Sequence, residues 1–209
     1  MLKIPSLLGR PKKPGAGSAN KMNYWDAKWD LQVECCPCDV HFNDWVRDEG
    51  IKNQLIYHLG SGTHHVVGFE QATNGSGNTV FCVTASIGEY DAYIDLVAGN
   101  AKVSRDYLCY FGDIYLSNPA LMPQFDVVTL FHLCEFFFPN TTEADYGGLD
   151  DRGVLDLFTD QTKVGGHILF YVGSNAFHKA EPIIAAWERE RKVERVGEYK
   201  TLLVFKRVG

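Results

Sequence analysis

The feature that most constrains the fold of this chain is a series of short apolar segments that alternate with segments of helical periodicity. Apolar runs rich in β-forming residues occupy positions 54–59, 79–85, 107–110, 125–131 and 167–172. Helical spacing marks positions 89–97, 150–162 and 181–191. Continuous apolar strands that alternate with helices indicate an α/β fold with a mostly parallel sheet covered on both faces. Such sheets bind ligands beyond the carboxyl ends of their strands, at the switch in strand order.

The two ends of the chain depart from this alternation. Apolar runs near residues 193–196 and 201–206 flank Gly197 and predict a β-hairpin. The aromatic stretch 24–49 predicts one or two helices that pack on the following structure. Residues 1–22 are rich in proline, glycine and basic residues, which predicts a flexible basic tail, with a short targeting sequence as the alternative. We therefore expect one domain over residues 23–209.

Charge and hydropathy narrow the classes of partner. The net charge is −6, and the first 25 residues carry basic side chains but no acid, so the remaining body is more acidic still. This balance disfavours a nucleic-acid substrate, because phosphate contacts supply much of that affinity, and it favours a small molecule or a protein. The sequence lacks an apolar run of the roughly 18–20 residues that span a bilayer, so we predict no membrane association.

The six cysteines are expected to be reduced. Cys82, Cys109 and Cys134 fall in apolar stretches and are predicted to be buried as small hydrophobic residues. The cysteine spacing is not that of a disulfide framework, and the first 20 residues do not resemble a signal peptide. Together these observations predict a cytoplasmic protein.

A glycine turn at residues 60–62 (GSG) follows the first predicted strand. Such a turn lets the backbone approach a ligand, and the N-terminus of the next helix favours a carboxylate or a pyrophosphate. The dinucleotide fingerprint G-x-G-x-x-G would need glycine where His65 stands, and no phosphate-binding P-loop occurs. The turn by itself therefore leaves the ligand open.

From about residue 24 to the C-terminus, the ordered series of segments resembles the class I S-adenosylmethionine-dependent methyltransferases. The segments that carry the resemblance are 23–26 (NYWD), 58–64 (HLGSGTH), 80–86 (VFCVTAS), 112–114 (GDI), 125–128 (FDVV), 132–135 (HLCE) and 165–169 (GGHIL). They are similar to the family's opening aromatic helix, glycine loop, second strand, third-strand end, fourth strand with its H-x-x-E ending, and the turn into the fifth strand. The resemblance implies a doubly wound, Rossmann-like sheet of seven strands with an antiparallel last strand.

The same resemblance implies S-adenosylmethionine as the cofactor and places particular residues beside it. The implied cofactor-binding residues are His58, Gly60, Ser61, Gly62, Thr84, Ser86, Asp113 and Ile114. Gly60 and Gly62 would line the methionine part, and Asp113 would accept a hydrogen bond from the adenine amine. His132 and Glu135 are the catalytic candidates, because an imidazole or a carboxylate can act as the base for an oxygen or nitrogen acceptor. Either Tyr24 or Trp25 could cover the cofactor or stack on a cation.

Three positions depart from the family pattern. His58 replaces the acid that opens the first loop, and His64 replaces its third glycine. The acid that binds the ribose hydroxyls falls at about Thr84 or Ser86, whose hydroxyls make weaker hydrogen bonds than a carboxylate. Glu89 would supply this acid if the strand end were displaced.

A metal site is the other chemistry that the cysteines suggest, and we predict none. Cys35-x2-Cys38 and Cys38-x2-His41 partly match zinc-ligand spacing, but no second C-x-x-C pair occurs. Further imidazoles that could add ligands are His64, His65 and His178. Cys36 lies within the same cluster.

The leading functional hypothesis is methyl transfer from S-adenosylmethionine to a small molecule. The departures motivate an alternative, a catalytically inactive protein of the same fold that serves in binding or assembly. A nicotinamide-dependent oxidoreductase is disfavoured, because both the third glycine and the ribose-binding acid are missing from their expected places. The methyl acceptor and the oligomeric state cannot be read from the sequence.

Overall fold

A seven-stranded sheet with helices on both faces organises the computed structural model, which describes residues 22–136 and 148–209. The strands are β1 (Leu55–Leu59), β2 (Thr79–Thr84), β3 (Tyr107–Phe111), β4 (Phe125–Thr129), β5 (Thr162–Tyr171), β6 (Val193–Tyr199) and β7 (Leu202–Arg207). The helices are α1 (Cys38–Asp48), α2 (Val66–Thr73), α3 (Ile87–Gly99), α4 (Ala101–Asp106), α5 (Asp151–Gln161) and α6 (Phe177–Glu190). Short 3-10 helices cover Ile114–Leu116 and Pro119–Leu121. Nearly all of the predicted flexible tail lies outside the described residues.

The strand order β3-β2-β1-β4-β5-β7-β6 confirms the predicted doubly wound sheet. Strands β1 to β5 pair in parallel, whereas β7 runs antiparallel to both β5 and β6. Ile56 of β1 pairs with Val80 on one side and Val127 on the other, so the strand order reverses at β1. The carboxyl ends of β1 and β4 therefore border the crevice in which such sheets bind ligands.

Two hydrophobic clusters bury the two faces of the sheet, as the apolar strands predicted. Helices α5 and α6 cover one face with Phe158 and Trp187. The centroid of the Phe158 ring lies 4.0 Å from that of the Tyr57 ring. Helices α1 to α4 cover the other face, to which α1 contributes Phe42 and Trp45. The predicted burial of three cysteines is confirmed, with Cys82 and Cys109 on the second face and Cys134 on the first.

The N-terminal aromatic stretch is less helical than its sequence suggests. Only Cys38–Asp48 forms a helix, with Pro37 at its N-cap. Proline disfavours helical backbone in the residue before it, which helps to explain why the helix does not extend backward. Residues 24–37 instead cross the carboxyl edge of the sheet, where the Trp25 amide donates to the Ala85 carbonyl at 2.9 Å.

The prediction that Gly165-Gly166 separates α5 from the fifth strand is wrong, because both glycines lie inside β5. Strand β5 begins at Thr162, directly after α5, and its pairing with β4 shifts register between Phe125 and Val127. Gly165 has a φ of +86°, and a Cβ on Gly166 would lie 2.7 Å from the Asp126 carbonyl oxygen. The glycines thus permit a bulge in which the two backbones approach closely.

The helices among the described residues are all too short or too polar to cross a membrane.

Candidate functional site

Two adjoining cavities open at the carboxyl edge of the sheet. The first has an empty volume of about 420 Å³ and is bordered by the ends of β1, β2 and β3. The second, about 1160 Å³ with its open mouth, is bordered by the start of α1 and the turns after β1, β4 and β5. Trp29, Gly60, Glu89 and Phe136 line both cavities, so the two form one continuous site.

The glycine loop after β1 lies between the two cavities and requires glycine at two positions. Gly60 has a φ of +80° and lines both cavities, and a Cβ there would lie 3.3 Å from the His132 ring. Gly62 has a φ of +56°, and a Cβ there would lie 2.8 Å from the Trp29 carbonyl oxygen. A residue with a side chain would be strained at these positive φ angles and would crowd the neighbouring atoms. Glycine avoids both problems and leaves the backbone of the loop exposed to the cavity.

A buried carboxylate lies at the end of β2, where the sequence suggested that one was missing. Thr84 Oγ1 donates to Glu89 Oε2 at 2.5 Å, and Ser61 Oγ lies 3.5 Å from the same oxygen. Ser86 caps α3 by accepting from the Glu89 amide, and it donates to the Ala27 carbonyl at 2.7 Å. Burial raises the pKa of Glu89. Thr84, Ser86 and Glu89 all line the first cavity, so the hydroxyls position a carboxylate there.

Asp113 and Ile114 line the same cavity from the end of β3. Asp113 is buried, and its Oδ1 accepts from the Tyr115 amide at 2.9 Å at the start of a 3-10 helix. Both predicted residues therefore lie with Thr84 and Ser86 around one cavity.

His58, by contrast, is buried beside β4 and α1. Its Nδ1 lies 2.8 Å from Thr129 Oγ1, its Nε2 lies 3.5 Å from Asp39 Oδ1, and its ring stacks on Phe42. Burial and then the positive charges of His64 and His132 lower the pKa of His58 to about 3. The residue is therefore a neutral imidazole at the position where the resemblance implies an acid, and the Asp39 carboxylate from α1 lies beside it.

The predicted catalytic pair lines the second cavity from the turn after β4. His132 Nδ1 lies 3.2 Å from Glu135 Oε1. Glu135 is fixed in turn by the loop after β5, where Ser174 Oγ donates to it at 2.5 Å and the Asn175 amide at 3.1 Å. Burial alone would lower the pKa of His132, but hydrogen bonds and charges from Cys36 and Glu135 raise it to about 10. The ring is thus favoured as a cation.

Three further residues at this cavity escaped the sequence-based prediction of the catalytic site. Cys36 and Cys38 approach His132, and Asp39 follows them in the first turn of α1. Hydrogen bonds from Cys38 and His132 lower the pKa of the Cys36 thiol to about 4. Burial raises the pKa of Asp39 to about 7. The C-x-C spacing is the one sequence signal for the thiols, while nothing in the sequence places Asp39 here.

The other residues considered as metal ligands lie apart from this group. Cys35 is exposed, and His41 Nδ1 lies 2.8 Å from Thr201 Oγ1. His65 is buried between the Tyr107 hydroxyl, at 2.7 Å, and the Glu89 carbonyl, at 2.8 Å. His64 does line the second cavity, with its Nε2 3.7 Å from Asp39 Oδ2. His178 is exposed on α6.

Aromatic side chains cover the site. The rings of Trp25 and Trp29 lie edge-on to Phe136, at 5.2 and 5.7 Å. The Trp29 carbonyl accepts from the Thr63 amide at 2.8 Å, which fastens the N-terminal segment to the glycine loop. Trp25, one of the two aromatic residues considered as a cover for the cofactor, lines the first cavity.

No protein-family model matches the chain, and no curated protein matches its sequence. Solved structures do match its fold. A proposed caffeoyl-CoA O-methyltransferase from Staphylococcus aureus aligns with a TM-score of 0.59 and 7% identity, over 82% of this chain and 83% of that one. A proposed O-methyltransferase from Klebsiella pneumoniae aligns with a TM-score of 0.55 and 10% identity, over 86% of this chain and 82% of that one. A proposed rRNA methylase from Clostridium thermocellum aligns with a TM-score of 0.54 and 11% identity, over 85% of this chain and 100% of that one.

These likenesses concern the fold, since the identities are low. The chain has the fold of the class I methyltransferases, which confirms the predicted resemblance at the level of architecture.

Proposed function

We propose that this protein transfers a methyl group from S-adenosylmethionine to a small-molecule acceptor. The observation that carries the proposal is the Glu89 carboxylate, which lies with Thr84 at the end of β2 in a cavity that continues into a second one. A methyltransferase needs both compartments side by side, one for the cofactor and one for the acceptor.

The first cavity fits the cofactor by the chemistry of its lining. Glu89 would accept hydrogen bonds from the ribose hydroxyls, and Asp113 would accept one from the adenine amine. Gly60 would let backbone approach the methionine part. The cofactor supplies a methyl group on a sulfonium, so the main work of the protein is to orient the acceptor and exclude water. The aromatic cover of Trp25, Trp29 and Phe136 serves the exclusion of water.

The second cavity would hold the acceptor. His132 and Glu135 both line this cavity, with Glu135 held by Ser174 and its Oε1 3.2 Å from His132 Nδ1. The raised pKa of His132 favours an imidazolium, which stabilises an anionic acceptor atom and lowers the pKa of an acceptor hydroxyl or thiol. In this arrangement His132 assists by its charge more than by taking up a proton.

Calorimetric titration with S-adenosylhomocysteine tests the cofactor site without knowledge of the acceptor. We expect micromolar binding to the wild-type chain, no binding of NAD, and affinity roughly 10- to 100-fold weaker in Glu89→Gln, because a charged hydrogen bond contributes about 1.5–3 kcal/mol. Asp91→Asn is the matched control, since Asp91 is an exposed acid on the same helix.

The outcomes separate the candidate functions. No binding of either S-adenosylmethionine or S-adenosylhomocysteine would overturn the enzyme proposal and favour the inactive binding or assembly protein. Equal affinity in Glu89→Gln and Asp91→Asn would remove Glu89 from the cofactor site.

A further inference from the structure

Three potential metal-binding side chains from two distant parts of the chain meet in the second cavity. Cys36 and Cys38 flank Pro37 at the start of α1, and His132 lies in the turn after β4. The Sγ atoms of the cysteines are 3.6 Å apart, and Cys38 Sγ is 3.9 Å from His132 Nε2. The ligand atoms of all three residues lie within 4.8 Å of one another.

We propose that Cys36, Cys38 and His132 bind a zinc ion. Tetrahedral zinc has Zn–S bonds of about 2.3 Å and Zn–N bonds of about 2.0–2.1 Å, which places two sulfurs about 3.8 Å apart and a sulfur and a nitrogen about 3.5 Å apart. The observed separations of 3.6 and 3.9 Å differ from these by a few tenths of an ångström. Two thiolates and one imidazole are also the ligand types that zinc prefers.

The surroundings of His132 support this assignment. A histidine that binds a metal through one ring nitrogen usually has a carboxylate or carbonyl at the other, which fixes the ring. Here Nε2 faces the thiols, while Nδ1 lies 3.2 Å from Glu135 Oε1. Glu135 accepts hydrogen bonds from the Ser174 hydroxyl and the Asn175 amide, so the carboxylate beside Nδ1 is itself fixed in position.

Three protein ligands would leave a fourth coordination position of the zinc ion open. Structural zinc sites have four protein ligands, whereas three protein ligands with an open position are typical of sites that bind water or a substrate. All three proposed ligands line the cavity, and Asp39 lies beside Cys38 with its Oδ1 3.5 Å from Sγ. A bound zinc ion would therefore be accessible from the acceptor side.

Zinc binding would change the role of His132 in the proposed methyl transfer. Nε2 cannot bind a metal and carry a proton at once, so zinc binding would remove the imidazolium. Two thiolates would balance the charge of the zinc ion, which would then act on a heteroatom at its open position as a Lewis acid. The further step, in which an acceptor heteroatom takes the open position, rests on the proposed methyl transfer. Zinc binding itself does not, because it is measured without cofactor or acceptor.

Cobalt(II) is the probe, because thiolate ligands give it near-ultraviolet charge-transfer absorption and tetrahedral geometry gives it strong visible bands. The full chain is kept reduced with a phosphine, stripped with a chelator, and titrated with Co²⁺ and then with competing Zn²⁺. We expect one Co²⁺ per chain, displaced by zinc, for the wild type. Cys35→Ser is the matched control, because Cys35 is the exposed neighbour of the proposed ligands.

Cys36→Ser and His132→Gln should each weaken metal binding at least tenfold, and Glu135→Gln should weaken it about 10- to 100-fold. Cys36 is only partly buried, so its replacement leaves the core intact, and circular dichroism verifies the fold of each variant. Absence of thiolate-to-cobalt bands in the wild type would overturn the proposal. So would loss of the bands in Cys35→Ser, or their persistence in both Cys36→Ser and His132→Gln. Binding of S-adenosylhomocysteine by the same samples reports separately on the proposed function.

Discussion

Among single residues, the buried His58 gives a direct prediction for the stability of the fold. Its buried ring has a pKa of about 3, below the value of about 6.5 for an unfolded chain. Between these values the unfolded state binds more protons than the folded state, so stability rises with pH. The stabilisation is complete above about pH 6.5 and is lost as the pH falls.

We therefore expect acidification from pH 7 to pH 5 to cost roughly 2 kcal/mol through His58, at about 1.4 kcal/mol for each pH unit. In His58→Gln the difference in unfolding free energy between the two pH values should shrink by about that amount. Urea denaturation at both pH values measures it. His178→Gln, at an exposed histidine, should retain the wild-type difference, and an unchanged difference in His58→Gln would contradict the assignment.

Individual site residues were predictable where a motif fixes their place. Gly60, Thr84, Ser86 and Asp113 lie at or just after the ends of strands that meet at one edge, and all line the first cavity. Cys36, Cys38 and Asp39 were not predictable as cavity residues. They reach the second cavity because α1 packs on the sheet, a tertiary contact that leaves no local pattern.

At the level of elements, the start of α3 joins stability to ligand binding. Ser86 accepts from the Glu89 amide and so caps α3, as Asn100 caps α4 by accepting from Lys102 and Val103. Loss of an N-cap costs about 0.5–2 kcal/mol. Ser86→Ala and Asn100→Ala should therefore both lower the unfolding free energy by about 1 kcal/mol in urea denaturation.

Only Ser86→Ala should also weaken binding of S-adenosylhomocysteine, because Ser86 holds the turn of α3 that presents Glu89 to the first cavity. Calorimetry on both variants makes the comparison. Equal affinities in the two would mean that the cap serves the helix alone.

Strands proved easier to predict than the segments that connect them. The apolar runs of the inner strands β1, β2 and β4 are set by burial on both faces, which the sequence displays directly, whereas the edge strand β3 exposes Leu108 and Tyr110. Residues 24–37 bond instead to the edge of the sheet through Trp25 and Trp29, and those partners are remote in sequence. The bulge at Gly165 likewise depends on the pairing of β5 with β4, so its glycines look like a simple break.

At the scale of the whole molecule, the residues of the candidate site lie at one edge of the sheet. A bound ligand should therefore reduce local opening of the structure mainly at that edge. The N-terminal segment is fastened by the Trp25 amide to Ala85 and by the Trp29 carbonyl to Thr63, so it spans the first cavity from one side to the other. A ligand beneath it adds contacts that must break before these hydrogen bonds open.

Saturation with S-adenosylhomocysteine should therefore slow amide hydrogen exchange in residues 24–32, 60–66 and 84–90 by about tenfold or more, as measured by mass spectrometry. Residues 193–207, in the β6–β7 hairpin at the far edge of the sheet, provide the internal control. Their exchange should change much less, because the ligand suppresses local opening at the cavity and makes no contact with the distant strands. Uniform slowing throughout the chain would indicate global stabilisation alone, and unchanged exchange at residues 24–32 would show that this segment does not cover the ligand.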